Sequence, residues 1–279
     1  MRSCLALLSA VSVAVGSLAC GLTADFSGLQ GGTLGDAGAD ASLDAAVEAG
    51  SGADVQGTTD AQGASDGGGS YCSKLTTAVR LCTDFDEGKS VDTGWGATDV
   101  YGGEAIRVDT VAFSPPGSFL SAINPSGAPA SARLLKALPT QTTHVHIGFE
   151  MLLVPSDGNF ELAKVHQVTS DGTTYGLSYN EVASALQVEL KTLRGDGTTF
   201  DQTWPIGPPP TDWTRVEIDM EIGDPGSFTV TQNGNTVVGQ ASEPTSTPSR
   251  TALFVEVGYY SFAPASGQVH FDDVIVDWP

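Results

Sequence analysis

The sequence predicts an all-β fold for residues 71–279, a sandwich of two packed antiparallel sheets. Apolar and polar residues alternate in short segments such as 145–151 and 216–222, which is the period of a half-buried strand. Clusters of Gly, Pro, Asn and Asp separate these segments, and no stretch has the periodicity of a long amphipathic helix. Roughly a dozen strands in one domain favour a two-sheet sandwich.

The Asn233-Gly234 dipeptide marks one turn of this domain. It stands between two β-rich segments, 228–230 and 236–238. Both central residues of a type I′ turn need a positive φ, which Asn and Gly adopt readily. We therefore predict a two-residue β-hairpin here.

The chain is strongly acidic, with 12 Lys and Arg against 33 Asp and Glu in 279 residues, a net charge of −21. A nucleic acid or an anionic membrane surface would repel such a protein. We predict no nucleic-acid partner.

Residues 1–19 have the composition of a signal peptide: Arg2, an apolar run over residues 5–15 and small residues before Cys20. The segment 16–20 resembles the lipobox of bacterial lipoproteins, in which the cysteine becomes the lipidated first residue. The resemblance implies a lipid anchor at Cys20, and Gly21 favours the outer membrane or cell surface. Ser17-Leu18-Ala19 also satisfies the rule for ordinary signal cleavage, so release without lipidation stays open.

Residues 20–70 are predicted to be a disordered linker after the lipidated cysteine. The segment 21–70 contains eight acidic residues and no Lys or Arg, and is otherwise rich in Gly, Ala, Ser and Thr. Such a composition buries too little apolar surface to offset the entropy of ordering. We interpret it as a tether that holds the folded domain away from a surface.

Cys72 and Cys82 lie close together at the start of the folded region, and an exported location permits a disulfide between them. This pairing leaves Cys20 without a partner among the mature cysteines, which agrees with its lipidation.

Several segments together resemble the concanavalin A-like and laminin-G-like jelly rolls. They are 81–88 with Trp95, 212–220, 228–237, 255–258 and 269–276. The resemblance implies a jelly-roll sandwich in which the first strand (81–86) pairs with the last (269–277). Members of this fold include lectins, carbohydrate-binding modules, adhesion domains, glycoside hydrolases and polysaccharide lyases, so the fold leaves the function open.

Three carboxylates on one segment, Glu217, Asp219 and Glu221, resemble the catalytic strand of laminarinase-type retaining glycosidases. Alternation places all three on one face of a strand. The resemblance implies that Glu217 is a nucleophile, Asp219 its assistant and Glu221 the acid/base. The other interpretation is a solvated polar face, since Gly and Pro end the strand directly after the motif.

Carbohydrate binding is the leading site hypothesis, because aromatic rings flanked by hydrogen-bonding groups are typical of sugar sites. Packing inside the sandwich is the alternative for each ring. The candidate ligand-binding residues are Lys164, His166, Tyr175, Tyr179, Gln187, Glu189, Trp204 and Tyr260.

A structural Ca²⁺ is a further expectation, because relatives of this fold often hold one near the paired terminal strands. The resemblance points to Asp84 and Asp273 as its ligands, with Asp86 and Asp272 nearby. The pair His144 and His146 shares one strand face, but no third zinc ligand is evident from the sequence.

Taken together, the sequence favours a surface-anchored lipoprotein that presents a non-catalytic sandwich for binding a glycan or a cell-surface partner. The alternatives are a retaining glycoside hydrolase built on Glu217, Asp219 and Glu221, and a spacer protein without a defined ligand. The sequence therefore favours a protein that is not an enzyme.

Overall fold

The computed structural model describes residues 70–86, 89–124, 129–154, 156, 158–243, 245 and 249–279. The predicted signal peptide, Cys20 and almost all of the predicted linker lie outside this part of the chain. Within it, no helix combines the length and the apolar character needed to cross a membrane.

The described residues form a sandwich of two antiparallel sheets, which confirms the predicted fold class. One short helix, α1 (Tyr71–Lys74), precedes the strands, which are numbered in chain order. The first sheet contains β1 (Leu81–Thr83), β3 (Gly103–Val108), β4 (Ser118–Ile123), β6 (His144–Val154), β11 (Thr214–Glu221), β12 (Gly226–Gln232), β13 (Asn235–Glu243) and β15 (Gly267–Asp277). The second sheet contains β2 (Ala97–Tyr101), β5 (Ala130–Ala137), β7 (Asn159–Thr169), β8 (Thr174–Val182), β9 (Ala185–Leu193), β10 (Thr199–Gly207) and β14 (Arg250–Ser261).

The strand order of each sheet brings together segments that are distant in sequence. The first sheet runs β13-β12-β11-β6-β15-β4-β3, with β1 also paired to β15. The second sheet runs β10-β9-β8-β7-β14-β5-β2. The centre of the second sheet is therefore β7 beside β14, flanked by β8 and β5.

In the described part of the chain, a hydrophobic core lies between the two sheets. The alternation in β11 is typical: Val216, Ile218 and Met220 are buried in the core, and the residues between them face outward. Within the core, Phe149 and Phe271 on the neighbouring strands β6 and β15 meet edge to face with ring centroids 5.3 Å apart. Because burial of these apolar side chains drives the packing of the sheets, the outward-facing residues are available for function.

The first and last strands pair as predicted, with Leu81 opposite Val276. The disulfide between Cys72 and Cys82 is also confirmed, and it ties α1 to β1. A loop closed over a sequence separation of 10 stabilises a fold by about 2–3 kcal/mol.

The predicted hairpin at Asn233-Gly234 is confirmed. It joins β12 to β13, and its two central residues have φ values of 48° and 76°. Both values lie in the left-handed region that a type I′ turn requires.

The sequence-based strand prediction missed β2, β5 and β10. The reason is clearest for β5, whose residues Ala-Ser-Ala-Arg-Leu-Leu-Lys-Ala are mostly good helix formers. Pairing with β14 on one side and β2 on the other overrides that preference. The omission matters because β5 carries Arg133, a central residue of the site described next.

Candidate functional site

The side of the second sheet that faces away from the core carries a cluster of charged and polar side chains, called the polar face below. The strand register shows how its residues line up: Glu256 lies opposite Lys164, which lies opposite Ser178, which lies opposite Glu189. Directly opposite residues on antiparallel strands project to the same side of a sheet. One row of polar side chains therefore crosses β14, β7, β8 and β9.

Arg133 is at the centre of the ion-pair network on this face. Its Nη1 donates to Glu256 Oε2, and its Nη2 donates to Asp99 Oδ2 at 2.6 Å. The guanidinium also lies over the ring of Tyr260, 4.4 Å from the ring centroid. These contacts join three strands, β2, β5 and β14, through one side chain.

His166 shares the same carboxylate. Its Nδ1 lies 3.5 Å from Glu256 Oε1, and its ring packs beside Phe254 with centroids 6.2 Å apart. An imidazole whose Nδ1–H donates to a carboxylate carries its lone pair on Nε2. With Nδ1 facing Glu256, Nε2 is the ring nitrogen that points away from this carboxylate.

Glu256 is ionised at neutral pH because its pKa is lowered. Burial alone would raise the pKa of this carboxyl, but the hydrogen bond from His166 and the charges of Arg133 and Lys164 lower the pKa to about 2. For Arg133, burial would lower the pKa, but the carboxylates of Glu256 and Asp99 together raise it. The pair therefore stays ionised across the physiological pH range.

Tyr260 keeps its proton. Burial raises the pKa of its hydroxyl, Arg133 and Lys164 oppose that effect, and Glu161 and Asp99 add to it, so the pKa ends above its ordinary value. A tyrosine in this state is a proton donor at neutral pH rather than a base.

Lys164 lies between His166 and Glu161 on β7. Its ammonium contacts both oxygens of Glu161, at 2.9 and 3.2 Å. Opposite His166, the strand β8 has Gly176, where an added Cβ would lie 2.9 Å from Lys164 Cε. The glycine leaves space for the lysine side chain to lie flat against the sheet.

On β9 and β10, the ion pairs of the polar face are longer than those around Arg133. Asn180 Nδ2 donates to Glu189 Oε2 at 3.0 Å. Lys191 Nζ lies 3.8 Å from Glu189 and 3.9 Å from Asp201, so one ammonium is shared by two carboxylates.

Five of the sequence-predicted ligand-binding residues share the polar face. They are Lys164, His166, Gln187, Glu189 and Tyr260, and their strands run side by side in the second sheet. Their proposed role in ligand binding stays a prediction.

Three of the predicted ligand-binding residues instead point into the sandwich. Tyr175 and Tyr179 are buried, and the Tyr179 hydroxyl accepts a hydrogen bond from Gln232 of the first sheet. Trp204 is partly buried and packs against the core residue Phe228, with ring centroids 5.1 Å apart. The alternative interpretation, that these aromatic rings are sandwich packing, is the correct one for these positions.

Three residues of the network were not predicted from the sequence. Arg133 lies on the unrecognised strand β5, and Asp99 lies on the unrecognised strand β2. Glu256 is a buried acid in an otherwise apolar strand. A buried carboxylate needs a partner. An acidic residue within an apolar strand is therefore the feature of the sequence from which Glu256 could have been predicted as part of the site.

The carboxylates of β11 lie on the opposite side of the molecule, on the outer face of the first sheet. Glu217 is 3.6 Å from Arg215, and Asp219 contacts His146 at 3.0 Å and His144 at 3.4 Å. The hydrogen bond with Asp219 raises the pKa of His146 and lowers that of Asp219. These residues form a polar strand face with ion pairs across β6 and β11, in agreement with the alternative interpretation.

The two predicted calcium ligands lie near each other beside the β1–β15 pair. Asp84 accepts a hydrogen bond from the Cys72 backbone, and Asp273 accepts one from Ser114 Oγ at 2.6 Å. Burial raises the pKa of Asp273, and the charges of Asp84 and Asp86 raise it further. This surplus of negative charge fits a hard cation, but no group of three or more His, Cys, Asp or Glu side chains in the described ranges is arranged to hold one. A Ca²⁺ there would take most of its ligands from backbone carbonyls and water.

Comparison with known proteins identifies the fold through solved structures. No protein-family model matches the chain, and no curated protein sequence matches it. An endo-β-1,4-glucuronan lyase from the fungus Trichoderma reesei is similar at a TM-score of 0.60 and 14% identity, over 72% of this chain and 95% of that one. The cellulose-induced protein Cip1 is similar at a TM-score of 0.50 and 18% identity, over 70% of this chain and 96% of that one. At these identities the likeness shows the fold, a jelly-roll sandwich compatible with the concanavalin A-like class.

This comparison corrects the predicted function. The hypothesis of a non-catalytic binding domain is wrong, because the sandwich matches a polysaccharide lyase over nearly the whole of that enzyme. The alternative of a spacer protein, which is also non-catalytic, is corrected with it, whereas this comparison does not test the alternative of a glycoside hydrolase. The preference for a protein without catalytic activity is not supported either.

We expect the free energy of unfolding to fall at acidic pH as the Glu256 carboxylate becomes protonated. Its folded pKa of about 2 lies below its ordinary value of 4.5, so it contributes stability that is complete above the ordinary value and is lost as the pH falls from about 4.5 to about 2. As the pH falls through this range, the free energy of unfolding should decrease less in Glu256→Gln than in the wild type. The two decreases should differ by on the order of 3 kcal/mol. Urea unfolding at a series of pH values measures the difference.

The matched control is Glu221→Gln, an exposed acid at the end of β11. The free energy of unfolding of this variant should change with pH in the same way as that of the wild type. If the curves of Glu256→Gln and the wild type stay parallel below about pH 4.5, the ionised and paired state of Glu256 is refuted.

Proposed function

We propose that the domain is a polysaccharide lyase that cleaves a uronate-containing glycan by β-elimination. The observation that carries the proposal is the chain of contacts His166–Glu256–Arg133–Tyr260 on the outer face of the second sheet. The similarity of the whole sandwich to a glucuronan lyase supports it.

β-Elimination from a uronate needs three groups. A base removes the proton at C5, an acid protonates the departing oxygen at C4, and a cation or strong hydrogen-bond donor stabilises the negative charge that develops on the C6 carboxylate. The polar face supplies a residue of suitable chemistry for each role.

His166 is the proposed base. Glu256 holds Nδ1, which directs the lone pair of Nε2 toward a ligand on the face. The ionised Glu256 also stabilises the imidazolium that forms when Nε2 takes the proton, as a carboxylate does in other histidine-based sites.

Tyr260 is the proposed acid. Its pKa is raised, so the hydroxyl carries a proton at neutral pH. The cation of Arg133 over its ring stabilises the phenolate that forms when this proton leaves.

Arg133 and Lys164 are proposed to stabilise the charge of the uronate. Arg133 uses one nitrogen for each of its two acidic partners, and its buried Nε has no hydrogen-bond partner within the described part of the chain. The Lys164 ammonium contacts one carboxylate, Glu161, and retains donor capacity because an ammonium has three protons.

In the proposed step, His166 Nε2 takes the C5 proton and the C5–H electrons form the C4–C5 double bond. The C4–O4 bond breaks, and the leaving oxygen takes the proton of the Tyr260 hydroxyl. The products are a chain with a new non-reducing unsaturated uronate and a chain with a free hydroxyl.

Substitutions at the base and the acid test this assignment. We expect His166→Ala and Tyr260→Phe each to lower kcat about 10²–10⁴-fold, the usual contribution of general acid–base groups. The readout is the ultraviolet absorbance of the unsaturated product during digestion of polyglucuronate, alginate and mixed uronate polymers.

Glu217→Gln, on the first sheet, is the control and should keep wild-type activity. Release of reducing ends without the absorbance of a double bond would contradict elimination. Full activity of His166→Ala with a wild-type thermal midpoint would contradict the proposed base.

We further propose that Asp84 and Asp273 contribute to a structural Ca²⁺ site. Ca²⁺ should raise the thermal midpoint, by about 2–4 °C for each kcal/mol of binding linkage, because it binds the folded state alone. EDTA should reverse the rise, and Asp273→Asn should abolish it.

The control for this site is Asp196→Asn, which removes an acid in the β9–β10 turn and should leave the response to Ca²⁺ intact. Identical midpoints of the wild type in Ca²⁺ and in EDTA would contradict the proposed site.

We propose that the domain is displayed from a bacterial outer membrane or cell surface through a lipid on Cys20. The support is the resemblance of residues 16–20 to a lipobox. Cys20→Ala should move the protein from the detergent phase to the aqueous phase in detergent partitioning. Unchanged partitioning of that variant would refute the anchor.

A further inference from the structure

The balance of charge on the polar face is unusual for a site that binds an acidic polymer. Its ion-paired strand residues comprise three cations and five carboxylates. They are Arg133, Lys164 and Lys191 against Asp99, Glu161, Glu189, Asp201 and Glu256.

The surplus of two negative charges lies at specific places. Lys164 has Glu161 as its partner, but Arg133 is shared by Asp99 and Glu256, and Lys191 is shared by two acids on β9 and β10. Each shared cation leaves one negative charge uncompensated. Asp99 and Asp201, which are about two-fifths exposed, lie on the two edge strands of the sheet.

The proposed reaction centre lies between these acidic ends. His166 and Lys164 are on β7, three strands from β2 and three from β10. Strands are spaced about 4.8 Å apart, so the backbones of the two edge strands lie about 14 Å from β7, and from the β2 edge the Asp99 side chain reaches back to Arg133. A glycan that crosses the strands therefore places its reacting sugar over β7 and the sugars on either side toward Asp99 and Asp201.

Uncharged groups on the face suit neutral sugars at those positions. Tyr101 on β2 lies opposite Ser131, which lies opposite Tyr260, so the two tyrosines share a side of the sheet. Tyr101 and Phe262 are among the most exposed large hydrophobic residues, at 66% and 65%. On the other side of β7, the half-buried Gln187 on β9 carries an amide. Aromatic faces and amides bind neutral sugars through stacking and hydrogen bonds.

The rest of the domain adds to the repulsion of a polyanion. Residues 71–279 contain 11 Lys and Arg against 25 Asp and Glu. Like charges across a binding face oppose association, and mobile ions screen this repulsion with a Debye length of about 10 Å at 0.1 M salt.

We infer that the substrate is a heteropolysaccharide whose backbone uronates are separated by neutral sugars, because the acidic edges of the polar face disfavour a uronate on either side of the reaction centre. This inference rests on the proposed function for the location of the centre. It differs from the substrate in the name of the structural neighbour, glucuronan.

The test compares two polymers of the same uronate. Polyglucuronate carries a charge on every sugar, whereas deacylated gellan has glucuronates separated by neutral sugars. We expect the purified domain to cleave gellan faster at low salt, and we expect added NaCl to speed the cleavage of polyglucuronate more than that of gellan.

A pair of charge-neutralising substitutions tests whether the acids on β9 and β10 cause the discrimination against polyglucuronate. Glu189→Gln with Asp201→Asn should raise the ratio of the polyglucuronate rate to the gellan rate about 2- to 10-fold, the range for removing two partly exposed charge interactions. The matched control is Glu217→Gln with Glu221→Gln. It makes the same change in net charge on the first sheet and should leave the ratio at the wild-type value.

Binding gives a readout that does not depend on catalysis. Affinity gel electrophoresis of Tyr260→Phe should show stronger retardation by gellan than by polyglucuronate. If that preference holds while neither polymer is cleaved by the wild type, the inference on charge stands and the proposed elimination fails. Equal or stronger binding of polyglucuronate, or an equal rise of the rate ratio in both double variants, overturns the inference.

Discussion

The polar face is organised around the buried carboxylate of Glu256, which contacts Arg133 with one oxygen and His166 with the other. A charge in this position needs partners, since an unpaired buried carboxylate is strongly unfavourable. The partners come from two different strands, β5 and β7, so the need to satisfy one charge aligns both of them with β14, the strand of Glu256. In this way a requirement of stability sets the orientation of an imidazole and, through Arg133, of the Tyr260 ring.

The sequence was most informative where local chemistry decides the structure. The Asn233-Gly234 turn and the alternation in β11 follow from backbone sterics and from the two-residue period of a strand. It was least informative where distant pairing decides. The Ala- and Leu-rich β5 is a strand because β2 and β14 flank it, and the contacts of Arg133 depend on that pairing. Periodicity also could not tell which of two faces points inward, as Tyr179 shows.

The two outer faces of the sandwich carry comparable side chains with different surroundings. On the first sheet, Asp219 bridges two histidines of β6 and lies open to solvent. On the second sheet, Glu256 bridges a histidine and an arginine and is buried. The carboxylates of β11 form the most conspicuous motif in the sequence, and they lie on the exposed face. The candidate site is instead organised by Glu256, a single acid in an apolar strand. Burial, which decides between the two, is a property of the folded chain.

The disulfide at the start of the domain has a mechanical consequence. A force applied at residue 71 passes through the Cys72–Cys82 bond directly to β1, and the chain between the two cysteines stays slack. From β1 the load reaches β15, which lies in the middle of the first sheet between β6 and β4. Tension from the N-terminal side is therefore borne by the interior of the sheet that does not carry the polar face.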